Sequence, residues 1–183
     1  MKSKFLVALL CAMFCVGGVL NAQAPYRHSV GGIGCTMWGF SYKTFLSDHV
    51  ALSVDLGNQF IQTGGEDWPQ VDVYSIELNP NLMYEFSSNS RLHSLIGAGV
   101  TLGYNWEMGI WHIWYSGGTR DTYKYLGNGM KAGANVIAGL EYVFKIPLTV
   151  QLDFRPGYGV FIKDNVLWHH FDWNVCLGIR YTF

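Results

Sequence analysis

From His170 to Phe183 every second side chain is apolar. Phe171, Trp173, Val175, Leu177, Ile179, Tyr181 and Phe183 share one parity, and His170, Asp172, Asn174, Cys176, Gly178, Arg180 and Thr182 share the other. Successive side chains of a strand point to opposite faces, so the spacing predicts a strand with one greasy and one polar side. Tyr74, Ile76, Leu78, Pro80, Leu82, Tyr84 and Phe86 repeat the pattern against Ser75, Glu77, Asn79, Asn81, Met83 and Glu85. Leu148 to Val160 on even numbers do so against Thr149, Gln151, Asp153, Arg155, Gly157 and Gly159. Weaker copies run through Ile96 to Trp106, through Ala132 to Phe144, and through Val50 to Leu56.

Half-buried strands of a soluble sandwich also alternate, so length must discriminate. Several of these segments alternate for 12 or more residues. A globular strand usually has ~5 to 6 residues, whereas a tilted strand crossing a bilayer needs ~9 to 11. Their polar faces mix Gly and small residues with charges, which suits the lumen of a small barrel, and aromatics crowd the strand ends as in an interfacial girdle. The turn signals predict an all-β, eight-stranded antiparallel up-and-down transmembrane β-barrel, with strands near residues 25–34, 38–46, 49–61, 71–86, 92–106, 129–145, 148–161 and 169–183. Short links are expected at 47–48, 87–91 and 146–147, and longer ones at 62–70, 107–128 and 162–168. Gly31, Gly32 and Gly34 blur the alternation of the first strand and leave its register open.

Composition narrows the class. Half of the 183 residues are hydrophobic, 16% are aromatic and only 14% are charged, which excludes a disordered chain and a coiled coil. Twelve basic residues against 13 acidic ones provide no excess for a phosphate backbone, so no nucleic-acid partner is expected. Lys2 and Lys4 precede an uncharged run from Phe5 to Leu20 and then Asn21, Ala22, Gln23 and Ala24. Residues 1–22 therefore read as a signal peptide cleaved after Ala22, with Ala24 as the other choice, and residues 23–183 as the barrel. Neither Cys11 nor Cys15 follows the small residue that a lipoprotein cleavage site needs.

The segments Gly39–Leu46 (GFSYKTFL), Gly139–Phe144 (GLEYVF) and Ile179–Phe183 (IRYTF) carry a family resemblance. The chain resembles small eight-stranded outer-membrane β-barrels, grouped with outer-membrane protein X and the transmembrane domain of outer-membrane protein A. That resemblance implies export to a Gram-negative outer membrane, contact with outer-membrane lipid, and reading of Ile179, Tyr181 and Phe183 as a signal by the barrel-assembly machinery. It implies no single activity, because function resides in sites grafted on the fold.

The strand phases direct Lys43, Asp55, Glu77, Glu85, Glu141, Asp153, Arg155, Asp172 and Arg180 into the lumen as a mixed-sign charge network. Eight strands enclose only enough room for side chains, so these charges are expected to fill the interior rather than line a pore. No spacing selects a catalytic pair, and no cofactor or metal is expected; His170 and Asp172 share a face but lack a third ligand. Cys35 and Cys176 belong to strands that must meet at closure. Pairing needs matched height and facing as well, and two free small residues are the expectation. In the outer segment 107–128, Trp111, Trp114, Tyr115, Arg120 and Tyr123 are candidates for binding a surface partner.

These features point to a monomeric, non-enzymatic barrel that presents its loops for a structural, adhesive or recognition role. One alternative is a lipid A-modifying barrel enzyme using His112, Ser116 and Asp121. The other is a secreted soluble ligand-binding β-barrel with its greasy residues turned inward.

Overall fold

A computed structural model of the chain describes residues 24–65, 68–87, 91–114, 120–163 and 166–183, with side chains described outside 61–73, 87, 107–127, 163–166 and 168. The signal-peptide reading lies outside the described residues. Eight strands follow one another: β1 (His28–Gly34), β2 (Met37–Phe45), β3 (Val50–Gly65), β4 (Trp68–Ser87), β5 (Leu92–Trp114), β6 (Arg120–Val143), β7 (Leu148–Lys163) and β8 (Val166–Thr182). Each pairs antiparallel with its sequence neighbours, and β1 pairs with β8 to close the barrel.

The register fixes the shape. From Gly32 the partners run through Phe40, Leu56, Leu78, Leu102, Ala132 and Val160 to His169, yet β8 meets Gly32 at Ile179, ten residues further on. A shear of ten over eight strands tilts them by about 40° to the barrel axis. Two prolines interrupt the ladders. Pro80 has no N–H to donate, and β4–β5 pairing skips from Leu78↔Leu102 to Asn81↔Gly99; Pro156 marks the same kind of gap between Asn135↔Gly157 and Ala138↔Phe154.

The apolar parity faces outward. Leu56, Leu78, Leu82, Val100, Leu102, Val136, Leu152, Val175, Leu177 and Ile179 are all exposed on the outer wall. Exposed rings band it at both ends. Trp38, Phe60, Tyr74, Trp106, Tyr158, Phe171 and Trp173 lie toward the far end, and Tyr84, Phe86, Tyr142, Phe144, Tyr181 and Phe183 toward the end carrying the chain termini. Ser41, Lys43, Ser53, Asp55, Asn81, Glu141, Gln151 and Arg180 are wholly buried inside.

Four boundaries differ from the sequence expectation. β1 begins at His28 rather than at residue 25, because Ala24 and Tyr26 tuck under the barrel against a buried cluster containing Phe45 and Met83. The link expected at 62–70 shrinks to the step between Gly65 and Trp68, and that at 162–168 to the step between Lys163 and Val166. The loop expected at 107–128 is mostly strand: β5 and β6 stay in register from Trp106↔Asn128 to Trp114↔Arg120. Beyond the aromatic band neither face of a strand is held to one solvent, so the hydrophobic alternation fades while backbone pairing continues. The resulting β5–β6 ribbon projects past the rest of the far end.

Candidate functional site

The lumen is stacked in three tiers. Nearest the termini, Lys43 on β2 pairs with Glu85 on β4 and reaches Glu141 on β6 at 2.8 Å. Arg180 Nη1 approaches the same Glu141 at 3.9 Å. Tyr26 closes this end from below. Its hydroxyl donates to Glu141 Oε1 at 2.9 Å, and its ring meets Phe45 edge-on at 5.1 Å. Burial pushes the Tyr26 phenol well above its ordinary pKa, with Lys43 opposing the shift, so it stays protonated and donates.

The middle tier is a closed ring of side chains. Arg180 Nε donates to Ser41 Oγ at 2.9 Å, and Ser41 Oγ donates to Asp55 Oδ1 at 2.5 Å. Arg155 Nη1 donates to Asp55 Oδ2 at 2.8 Å, and Arg155 Nε to Asp153 Oδ1 at 2.5 Å. Gln151 Nε2 donates to Asp153 Oδ2 at 2.6 Å, and Arg180 Nη1 completes the circuit to Gln151 Oε1 at 3.0 Å. Two guanidiniums and two carboxylates thus partner one another in a buried setting where an unpaired charge would be costly.

The far tier is more open. Lys131 Nζ lies 2.8 Å from Glu77 Oε1 and 3.6 Å from Asp172 Oδ2, and His170 Nε2 lies 3.0 Å from Asp172. The Asp172 side chain is 42% exposed, so it stands at the mouth rather than in the sealed interior with the other eight residues of the expected charge network. Lys131 was missed from that network. Its signal was legible, since Lys131 has the same parity as Glu141 on the same strand.

Between the middle and far tiers a cavity of about 50 Å³ is lined by Glu77, Thr101, Lys131, Arg155 and Asp172, among others. Small-molecule sites usually have ~300 to 1,000 Å³, so this space suits a few waters rather than a solute. No group of three His, Cys, Asp or Glu side chains is placed to hold a metal among the described residues.

Ile179, Tyr181 and Phe183 all face outward on β8. Phe183 is pinned to β1, exchanging backbone hydrogen bonds of 3.0 and 2.9 Å with His28. The backbones of Trp111, Trp114, Arg120 and Tyr123 lie in the β5–β6 ribbon, where Trp111 is the register partner of Tyr123 and Trp114 that of Arg120. Tyr115 and the side chains of all these candidates lie outside the described residues, as do those of His112, Ser116 and Asp121.

Fold and lumen together define a closed eight-stranded antiparallel barrel with a charge-filled interior and an apolar wall. No family model matches the chain, and no curated protein does. Among solved structures it is similar in shape to the N-terminal β-barrel domain of Pseudomonas aeruginosa OprF, at 18% identity and a TM-score of 0.49, covering 85% of this chain and 96% of that one. Neisserial surface protein A is similar at 16% identity and a TM-score of 0.49, covering 85% of this chain and 94% of that one.

Proposed function

We propose that this chain is an integral outer-membrane barrel, monomeric and non-enzymatic, whose filled lumen makes it a rigid mount for the projecting β5–β6 ribbon and the other far-end links. The observation that carries the reading is the inverted polarity. Charged side chains are sealed inside, while Leu, Val and Ile side chains cover the outer wall between two aromatic bands. In water such a wall would be a large aggregating surface; in a bilayer it matches the hydrocarbon and the rings match its two interfaces. A soluble ligand-binding calyx needs the opposite placement. The closed ladder supports the reading too, since a spanning sheet has no water to satisfy an open edge.

In this reading the termini and the β2–β3, β4–β5 and β6–β7 turns face the periplasm, and the ribbon faces outward. A ribbon carrying Trp111, Trp114, Tyr123 and Arg120 suits structural, adhesive or recognition contacts at the cell surface, and the outward Ile179–Tyr181–Phe183 edge suits capture by the assembly machinery. The test is to express the full chain, fractionate the cells and compare unheated with boiled samples on an SDS gel. Recovery in the outer membrane with a heat-dependent mobility shift is expected. Recovery as soluble protein without detergent would overturn the proposal.

A further inference from the structure

The β1–β8 seam ends on two thiols. Its ladder runs only from Ser29↔Thr182 to Gly34↔Leu177, because β1 has just seven residues. At the periplasmic end His28 and Phe183 bond each other in both directions and hold the seam shut. One residue beyond the last register pair, the same register sets Cys35 opposite Cys176. Thr36 Oγ1 donates to Asn174 Oδ1 at 2.5 Å, holding the β1–β2 turn against β8 at that height.

Parity decides whether two such cysteines can be joined. His28 and Phe183 form a hydrogen-bonded pair, and antiparallel partners alternate between hydrogen-bonded and non-hydrogen-bonded pairs. Continued seven residues along to Cys35 and Cys176, the alternation gives a non-hydrogen-bonded position, where Cα atoms of a regular ladder stand ~4.5 Å apart; a disulfide spans ~4.4 to 6.8 Å. Facing agrees as well. Cys176 is buried and points inward, and Cys35 packs against the cluster that Cys176 forms with Ile33 and Met37. Both are thiols in this structure.

We propose that Cys35 and Cys176 form an intramolecular disulfide that locks the far end of the barrel seam. The inference rests on the export reading, because a periplasmic or surface location supplies disulfide donors that the cytosol does not sustain. Cys176 is buried while Cys35 is partly exposed, so Cys35 reacts first. Its thiolate attacks a donor disulfide, expelling one donor thiolate. The Cys176 thiolate then attacks the Cys35 sulfur of the mixed disulfide and expels the second. The two cysteines are oxidised, the donor disulfide is reduced to two thiols, and the protons lost by the cysteines pass to the donor. The bond replaces register pairs that a seven-residue strand cannot supply, and it joins residues separated by most of the chain.

The test uses the full chain isolated from cells lysed in N-ethylmaleimide. Oxidised protein is expected to be two hydrogens lighter than the dithiol, to carry no maleimide, and to run faster when boiled without reductant than with it. Cys35→Ser and Cys176→Ser should each abolish the mobility difference. Two maleimide adducts on protein that sits in the outer membrane and shows the heat shift would overturn the disulfide while leaving the export reading intact. Where the protein is absent from that membrane, the export reading fails, and oxidised glutathione added to the detergent-folded barrel tests the geometry alone. An internal bond would support it; dimers or stable glutathione adducts would overturn it.

Discussion

Arg155 Nη1 lies 2.8 Å from Asp55 Oδ2, and the two residues stand on β7 and β3, opposite walls of the eight-stranded ring. Lys43 and Glu141 make the equivalent crossing from β2 to β6. These pairs are struts across the lumen, set where no backbone ladder links the walls. Replacing a buried ion pair by apolar residues is often neutral, but removing one partner strands the other. Asp55→Ala should therefore destabilise the barrel by about 3 to 5 kcal/mol, and Asp55→Ala with Arg155→Met should recover much of the loss. Denaturant unfolding from lipid vesicles, followed by tryptophan fluorescence, would measure both; equal losses in the single and double variants would refute the strut.

Tyr26 tests the plug. Tyr26→Phe keeps the edge contact with Phe45 but removes the hydroxyl donor to Glu141. The expected cost is about 1 to 3 kcal/mol, since a buried carboxylate loses a partner. The same unfolding assay would read it, and Tyr26→Ala should cost more.

The outer wall makes a depth-dependent prediction. Leu152 is exposed in the middle of the wall and Leu46 lies in the β2–β3 turn at its edge. Leu152→Arg should cost about 2 to 4 kcal/mol in vesicles and Leu46→Arg about 0 to 1. Equal effects at the two sites would be incompatible with a membrane-embedded wall.

Phe183 separates folding from assembly. Phe183→Ala leaves the two backbone bonds to His28 in place, so refolding into detergent should proceed almost unchanged. In cells the same variant should accumulate less heat-modifiable barrel in the outer membrane if the exposed ring is read during insertion. Quantitative immunoblotting of both forms would decide.

The occupied lumen has an electrical consequence. Among the described residues, tiers of ion pairs fill the lumen on either side of a cavity of about 50 Å³. Purified barrel in planar bilayers should show no steady porin-like conductance. Asp55→Ala with Arg155→Ala, which removes the strut across the middle tier, is the variant in which leak should first appear.

Strand identity and facing were legible along the chain because alternation is a local property: a residue's parity sends it to the outer wall or the lumen whatever its neighbours do. Thus Glu77, Glu85, Glu141, Asp153, Arg155 and Arg180 could be assigned an interior place from spacing alone, and Lys131 should have joined them. The ribbon from Glu107 to Trp114 was not legible, because outside the aromatic bands pairing persists without a hydrophobic period to betray it. Which charges meet was equally hidden. Parity says that Arg155 and Asp55 both face inward, but their contact depends on closure with a shear of ten, which brings distant strands to matching heights. The same holds for Cys35 and Cys176. The glycine-rich later half of β1 conceals its register, and only the pairing of β1 with β8 brings the two positions opposite each other.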